Sequence, residues 1–455
     1  MENSKEKRSL YYEESRMPDG SVYMNGNIKQ YLDGIGTTLP LEIISQETRQ
    51  KIDRIAVCFK DFAASEYIME TSLTSEIAQV DFSLRVLNEE KECLINGLQN
   101  SYFASMAGNG SWIRVADFVK CWSNDIDDIW LEMDYDEYDQ QIPQPCFFFN
   151  SSQIKNGTVI DIDLLLAKLK PLLDREQLEA IGPNIQFVIQ QLPSEVGLFQ
   201  VGMMLARTND QVRIFTAELN REQTQNYLTR IGWTGSFSRL NNLFELVDQY
   251  SDGQYILDFD VSSQGVSKKI GINFGLRKNQ MLPSFLDNLE EHQLCIDIKK
   301  RGVLAWSGSE GCFLGHDYGF TTIIKDISHF KVSLLPEGGF TVKAYLRYSG
   351  VYLKKMFADK KLITTQTREE EIDMPSLDYW EIQNIFKEVA YKSMLDKDYR
   401  ELCLNDSKAA IRKVIGNNVK MPYIVFLEEE PEIINEDRFV YILPPYLKPS
   451  WLTSK

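Results

Sequence analysis

Gly253-Gln-Tyr-Ile-Leu-Asp-Phe-Asp-Val-Ser-Ser-Gln-Gly-Val-Ser-Lys-Lys-Ile-Gly-Ile-Asn-Phe-Gly-Leu276 reads as two short strands, Tyr255–Val261 and Lys269–Leu276, joined by a polar turn. Apolar and polar side chains alternate in Leu257-Asp-Phe-Asp260. On a strand this places one kind on each face. Similar quartets occur at Met69-Glu-Thr-Ser72, Leu131-Glu-Met-Asp134, Phe199-Gln-Val-Gly202 and Phe330-Lys-Val-Ser333. Each opens a predicted hairpin, so the unit quoted is one of five.

The first hairpin pairs Tyr67–Leu73 with Val80–Leu87, and helical spacing follows over Glu89–Met106. The second joins Ile129–Asp134 to Cys146-Phe-Phe-Phe149 through a turn carrying Pro143 and Pro145. An amphipathic helix over Asp161–Leu173 leads to the third, Gly197–Ala206 with Val212–Leu219 across Arg207-Thr-Asn-Asp210, a run of turn-forming side chains. Asn220 is placed to cap a helix over Arg221–Ile231. The quoted hairpin is the fourth, with a helix over Pro283–Leu294 after it. The fifth pairs His329–Leu335 with Phe340–Tyr348 across Pro336-Glu-Gly-Gly339. A strand–strand–helix unit at this regular spacing is the signature of an internally repeated architecture.

One face of these strands carries Leu131, Met133, Leu257, Phe259, Ile270, Ile272, Phe330, Val332, Val342 and Leu346, which the intervening helices must cover. The other carries acids and bases of both signs, among them Glu70, Arg85, Glu132, Arg213, Asp258, Lys269, Lys331 and Lys343. An open sheet would leave that face in water and two edges unpaired; closing it removes the edges and encloses a polar lumen. The predicted fold is α+β: five consecutive β-hairpin/helix repeats forming a ten-stranded antiparallel barrel with helices outside, plus a small C-terminal α+β domain. The expected division is a polar lead-in over 1–50, the barrel over 51–356, a charged linker over 357–374 and the C-terminal unit over 375–455.

Composition narrows the function. The 455 residues carry a formal charge of −17, which opposes binding to nucleic acid, and any phosphate site should therefore be enclosed. The seven scattered cysteines form no Cys-x-x-Cys, and no stretch has the length and apolarity of a membrane span or signal peptide. A soluble cytoplasmic protein with no membrane and no nucleic-acid partner is expected. His292, His316 and His329 lack metal-ligand spacing. Trp306-Ser-Gly-Ser-Glu-Gly311 lacks the first glycine of a nucleophile elbow, and Gly34-Ile-Gly36 lacks the third glycine of a dinucleotide loop. Asp125-Ile-Asp-Asp128 and Asp134-Tyr-Asp-Glu-Tyr-Asp139 lack helical spacing and read as solvated acidic loops.

Five helix-linked hairpins, the Lys343-Ala-Tyr345 tripeptide and a first strand reading Met69-Glu-Thr-Ser72 resemble the ABBA aromatic prenyltransferases, especially those that alkylate ribosomal peptides. The resemblance covers residues 50–350 and implies an isoprenyl diphosphate held in the barrel. It implies that Arg85, Arg213, Lys269, Lys331, Lys343 and Arg347 are candidates to stabilise the leaving diphosphate. By the same likeness Tyr345 shields the allyl cation, and Glu70 orients the aromatic nucleophile or accepts its proton. Glu132, Asp134, Asp258 and Asp260 add four lumen carboxylates that either pair with those cations or hold Mg2+.

After the charged run Arg368-Glu-Glu-Glu371, helices are predicted over Tyr379–Ala390, Asp398–Leu404 and Lys408–Ile415, and strands over 423–428 and 439–445. Asn405-Asp-Ser-Lys-Ala-Ala-Ile411, Pro422, Glu428–Glu430 and Ile442-Leu-Pro-Pro445 resemble the nitrile-hydratase-like leader peptide (NHLP) family. This resemblance implies a built-in leader mimic or docking module engaging enzymes of a ribosomal-peptide (RiPP) pathway. Hydratase chemistry is excluded, because Cys403 is the only thiol in the segment. The readings that follow are a prenyltransferase acting on an aromatic side chain of a peptide, a non-catalytic peptide-binding partner, or a precursor with fused leader modified on its own Trp451 or Tyr446.

Overall fold

A computed structural model of the chain describes residues 14–16, 22–24, 28–59, 66–99, 110–137, 143–207, 211–313, 320–352, 379–416, 424–428, 439–444 and 446. The turn residues 208–210, Asp139, the run Arg368–Glu371, Pro422, Glu429, Glu430, Pro445 and Trp451 lie outside these.

Ten strands form the predicted hairpins: β1 (Glu66–Ser72) and β2 (Asp81–Leu87), β3 (Asp128–Met133) and β4 (Pro145–Asn150), β5 (Leu198–Met203) and β6 (Val212–Thr216), β7 (Ile256–Ser262) and β8 (Gly265–Phe274), β9 (Phe320–Leu334) and β10 (Phe340–Tyr352). Neighbouring hairpins pair antiparallel, β2 with β3, β4 with β5 and β6 with β7. The sheet closes through β8 with β9 (Ile272↔Val332) and β10 with β1 (Tyr345↔Glu70). The chain is thus a closed ten-stranded antiparallel barrel, and closure satisfies the backbone groups that two free edges would expose.

The predicted apolar face points outward. Phe82, Leu84, Leu131, Phe147, Phe259, Ile272, Val332 and Leu346 are buried beneath the helices in one continuous core. Burying each such side chain contributes roughly 1.5–3 kcal/mol, so the alternation itself fixes which way the sheet curls. The helices start where the sequence supplies caps. Asp161 accepts from the Leu164 amide, while Asp174 with Gln177 and Asn220 with Gln223 form reciprocal capping boxes.

Three local differences from the sequence reading have physical causes. The fourth hairpin turns tightly at Ser263-Gln264, with Ser262 paired to Gly265 (φ +99°), so β8 begins four residues earlier than its apolar pattern does. The polar residues Gly265–Lys268 belong to the strand because they extend toward solvent at its end. The fifth hairpin is longer than predicted, and beyond the barrel β9 also pairs with Gly308–Phe313, a strand without alternation. In the expected lead-in, the helix Ile28–Ile35 buries Ile28, Tyr31, Leu32 and Ile35 in the barrel's own core, and Gln46–Cys58 adds Ile52 and Ile55.

The C-terminal segment comprises helices Tyr379–Leu395, Lys397–Asn405 and Ser407–Ile415 and a parallel pair, Ile424–Leu427 with Phe439–Ile442. Phe386, Phe426 and Tyr441 pack around one another at its centre, and Ile324 of β9 joins the same cluster. Among the described residues no helix is long and apolar enough to cross a membrane.

Candidate active site in the barrel lumen

The barrel lumen holds a cavity of about 140 Å³ that opens to solvent at one end. Met204, Arg207, Ser333 and Thr341, beside the hairpin turns, line it, whereas Arg85, Asp128, Asp326 and Arg347 at the opposite end do not. The mouth is therefore at the turn end.

The lumen has two unlike walls. From Arg213 of β6 through β7 and β10 to β1 it is charged. Lys331 Nζ donates to Asp258 Oδ1 (2.8 Å), and Asn273 Nδ2 donates to the other oxygen of that carboxylate (2.8 Å). This pair lies across Gly271, where a Cβ would come within 2.2 Å of Asp258 Oδ2 and 2.4 Å of Lys331 Cε. Arg213 grips Asp260 with two bonds, 2.7 and 2.9 Å, and lies 4.0 Å from Asp258. Lys343 donates to Glu70 and sits 3.5 Å from Asp81. Lys269 lines the cavity without an ion pair among the described residues. Burial, and next Lys331 and Arg213 close by, lower its pKa.

From β3 to β6 the wall is apolar and aromatic. Cys146, Phe148 and Met204 form a cluster of their own within the lumen, against which Trp130 and Phe215 pack. Phe148 and Phe215 meet edge-on, with centroids 5.8 Å apart. Gly202 admits the Phe148 ring, since a Cβ there would stand 2.3 Å from Phe148 Cδ1. Lys331 Nζ, 5.8 Å above the Phe215 ring, joins the two walls. The sequence reading singled out none of these rings: Trp130, two residues before Glu132, shares its face by alternation, but the unbroken run Cys146-Phe-Phe-Phe149 hides which ring faces inward. Cross-strand pairing resolves this, because Trp130 stands opposite Phe148 and Glu132 opposite Cys146.

Between the walls stands a small aromatic and acid group. Tyr345 lies opposite Glu70, and its hydroxyl helps hold that carboxylate ionised. Burial pushes the Glu70 pKa upward, but Lys343 and Tyr345 outweigh it, and the carboxyl is lowered to about 2. His329 stacks on Tyr345 at 4.0 Å, with 16° between the planes. By alternation His329 shares the lumen face of Lys331, although the sequence reading did not single it out, and the register of β9 shifts just before it, between Ile327 and His329. The extra residue, Ser328, lets both Asp326 and His329 sit on the lumen side, as a bulge does when it re-aims the chain.

Glu132 and Asp81 complete the mouth. Burial, then the negative charge of Glu70, raises them to about 8 and about 7 respectively. Asp134 takes two bonds from Arg207 (2.8 and 2.9 Å), a cation the sequence placed only in a turn. Ligand atoms of Glu132, Asp134 and Cys146 lie within 4.8 Å of one another. They do not suit Mg2+, which takes oxygen ligands in octahedral array: one donor is a thiol, and Asp134 is already engaged by Arg207.

Two predicted phosphate-binding cations stand apart. Arg85 Nη2 donates to Asp128 (2.7 Å) and Nη1 to Glu66 (3.4 Å); Arg347 donates to both oxygens of Asp326 (2.8 and 2.5 Å). Asn150 Nδ2 donates to Asp128 at 3.2 Å. These residues plug the closed end of the barrel. Asp128, read in sequence as part of a solvated acidic loop, is instead the buried first residue of β3; Asp125 fits that reading better, paired with Lys168 at 2.8 Å.

Fold and site together define a closed antiparallel barrel with a solvent-reached lumen divided into a charged wall of acid–base pairs and an aromatic one. Among solved structures the chain is similar to a 6-dimethylallyl tryptophan synthase, with a TM-score of 0.44 and 10% identity over 70% of this chain and 96% of that one. It is also similar to AnaPT from Neosartorya fischeri, with a TM-score of 0.42 and 10% identity over 70% of this chain and 91% of that one. No protein-family model matches the chain, and no curated protein matches it significantly.

Proposed function

We propose that the barrel transfers an isoprenyl group from its diphosphate to an aromatic side chain, in keeping with the family resemblance of Met69-Glu-Thr-Ser72 and Lys343-Ala-Tyr345. The observation that carries this reading is the division of the lumen into a charged wall, which holds Lys269, Lys331, Lys343 and Arg213, and a facing aromatic one. The two halves of an allylic diphosphate need those two surroundings. The diphosphate sits against Lys269, Lys331, Lys343 and Arg213, whose charge stabilises the pair of electrons it leaves with. The hydrocarbon lies against Trp130, Phe148 and Phe215, and these rings with Tyr345 stabilise the allyl cation while water is excluded. Glu70, an anion fixed by Lys343 and Tyr345, orients the acceptor. Arg85 and Arg347 hold the closed end together. The acceptor is an aromatic residue of a ribosomally made peptide, and residues 375–455, with their likeness to leader domains, dock the pathway's other enzymes.

Incubating the protein with dimethylallyl diphosphate and tryptophan- or tyrosine-containing peptides tests this. Mass spectrometry should find the alkylated peptide, and Lys343→Ala should lower kcat/KM roughly 10²–10³-fold, the usual loss on removing one preorganised charge. Absence of both transfer and donor binding in the wild type would refute the reading.

One observation favours a second reading. Of the five cations lining the cavity, Arg207, Arg213, Lys331 and Lys343 are already paired with acids. A barrel whose charges satisfy one another would serve as a non-catalytic, peptide-binding partner. Calorimetric titration separates the two: this partner binds basic peptide and ignores the diphosphate.

A further inference from the structure

We propose that His329 is the base that removes the proton from the newly alkylated ring carbon, with Glu70 serving to position the acceptor. This inference rests on the prenyl-transfer reading and assigns a step within it. In that step the carbon–oxygen bond of the donor breaks and its electron pair leaves with the diphosphate. A bond forms between the isoprenyl carbon and a ring carbon of the acceptor. The ring's C–H bond then breaks, its electrons restore aromaticity, and the proton goes to a base within reach.

Glu70 is poorly suited to take it. Its carboxylate already accepts from Lys343 and is held ionised with help from Tyr345, so protonation would sacrifice both interactions. His329 is differently placed. In phase with Lys331 and Ser333 on β9 it lines the cavity, and stacking on Tyr345 fixes its plane. Ser328 Oγ lies 3.1 Å from Nδ1, and Nε2 has no hydrogen-bond partner among the described residues. In the tautomer whose Nδ1–H is directed at Ser328 Oγ, Nε2 is the ring nitrogen left to receive a proton.

The charged groups acting on His329 are Glu70, Lys331, Arg347 and Asp258. Burial, with Lys331 and Arg347, lowers its pKa to about 3, so the resting ring is neutral and proton-accepting. Diphosphate released beside Lys331 would offset that cation's charge and raise the proton affinity of His329 just as the arenium forms. The base strengthens when it is needed.

The test compares His329→Ala, His329→Gln and Glu70→Gln with the wild type, using dimethylallyl diphosphate and a tryptophan peptide with a protiated or deuterated indole ring. Diphosphate release and peptide alkylation are measured separately. In both His329 variants alkylation should fall roughly 10²–10⁴-fold, the usual contribution of a general base. Diphosphate release should persist, with the donor captured by water as the alcohol. A ring-deuterium isotope effect should appear, and added imidazole should restore alkylation in His329→Ala. Glu70→Gln should raise KM for the peptide without an isotope effect. The proposal is overturned if His329→Ala alkylates at the wild-type rate, or if the isotope effect appears in Glu70→Gln alone. Wild-type protein that neither releases diphosphate nor alkylates peptide overturns the prenyl-transfer reading, and this step with it. Release and alkylation that survive every substitution overturn only the role of His329.

Discussion

Glu132 and Asp81 make the pH response of this barrel unlike that of a protein stabilised by surface ion pairs. Their carboxyls are raised from 4.5 to about 8 and from 3.8 to about 7, so the folded chain retains protons that the unfolded chain has lost. Stability contributed by that difference is greatest below the unfolded values and falls as pH rises toward the folded ones. Glu70, lowered to about 2, acts in the opposite sense and supports the fold throughout that window. The melting temperature of the wild type should therefore decline between about pH 5 and pH 8, and Glu132→Gln should flatten the decline. An equal slope in the two proteins would show that Glu132 is not held protonated. Lys331 is tested similarly. Its removal leaves Asp258 buried with Arg213 4.0 Å away and Asn273 as its close partner, and Lys331→Met should cost about 3–5 kcal/mol in denaturant unfolding.

At the scale of elements, the five hairpins were legible because their alternation is strong and points consistently to one covered face. Leu257, Phe259, Phe330 and Val332 all lie outward in the core, opposite the charged lumen. Three features were not legible. The bulge at Ser328 changes the parity of β9, and no composition signal accompanies it. The apolar run of β4 has no period, so Phe148 could not be assigned to the lumen. Gly308–Phe313 is too poor in apolar residues to read as a strand, and pairs because β9 extends past the barrel. Glycines inside β5 and β8 have a common purpose, making room in the lumen for Phe148 and for the Asp258–Lys331 pair. Gly271→Val should thus destabilise the barrel by about 1–3 kcal/mol, as overpacking does, and weaken donor binding as well. Gly157, with a positive φ but nothing near its absent Cβ, offers the comparison. Gly157→Ala should leave donor binding unchanged.

At the scale of the molecule, the barrel and the C-terminal segment have separate cores that meet at Ile324 and through Lys387, 3.9 Å from Glu310. Arg400 ties the smaller core together, donating to Glu428 (2.8 Å) and to the Pro444 carbonyl (2.6 Å). Calorimetry of Arg400→Met should lower one transition and leave the barrel's in place; one transition moving as a whole would mean a single cooperative unit. The sequence carried the barrel, its charged lumen and the place of Glu70, Lys343 and Tyr345 within it. It did not carry the pairing that leaves Lys269 apart from the other cavity cations, because pairing depends on which strands become neighbours after closure. The central claim, that one wall receives the diphosphate and the other the hydrocarbon, is tested most directly by a crystal structure with a non-hydrolysable dimethylallyl thiolodiphosphate. The phosphates are predicted beside Lys269, Lys331 and Lys343, with the alkenyl group against Trp130, Phe148 and Phe215. A lumen that stays empty at saturating analogue, or an analogue bound outside the barrel, would contradict it.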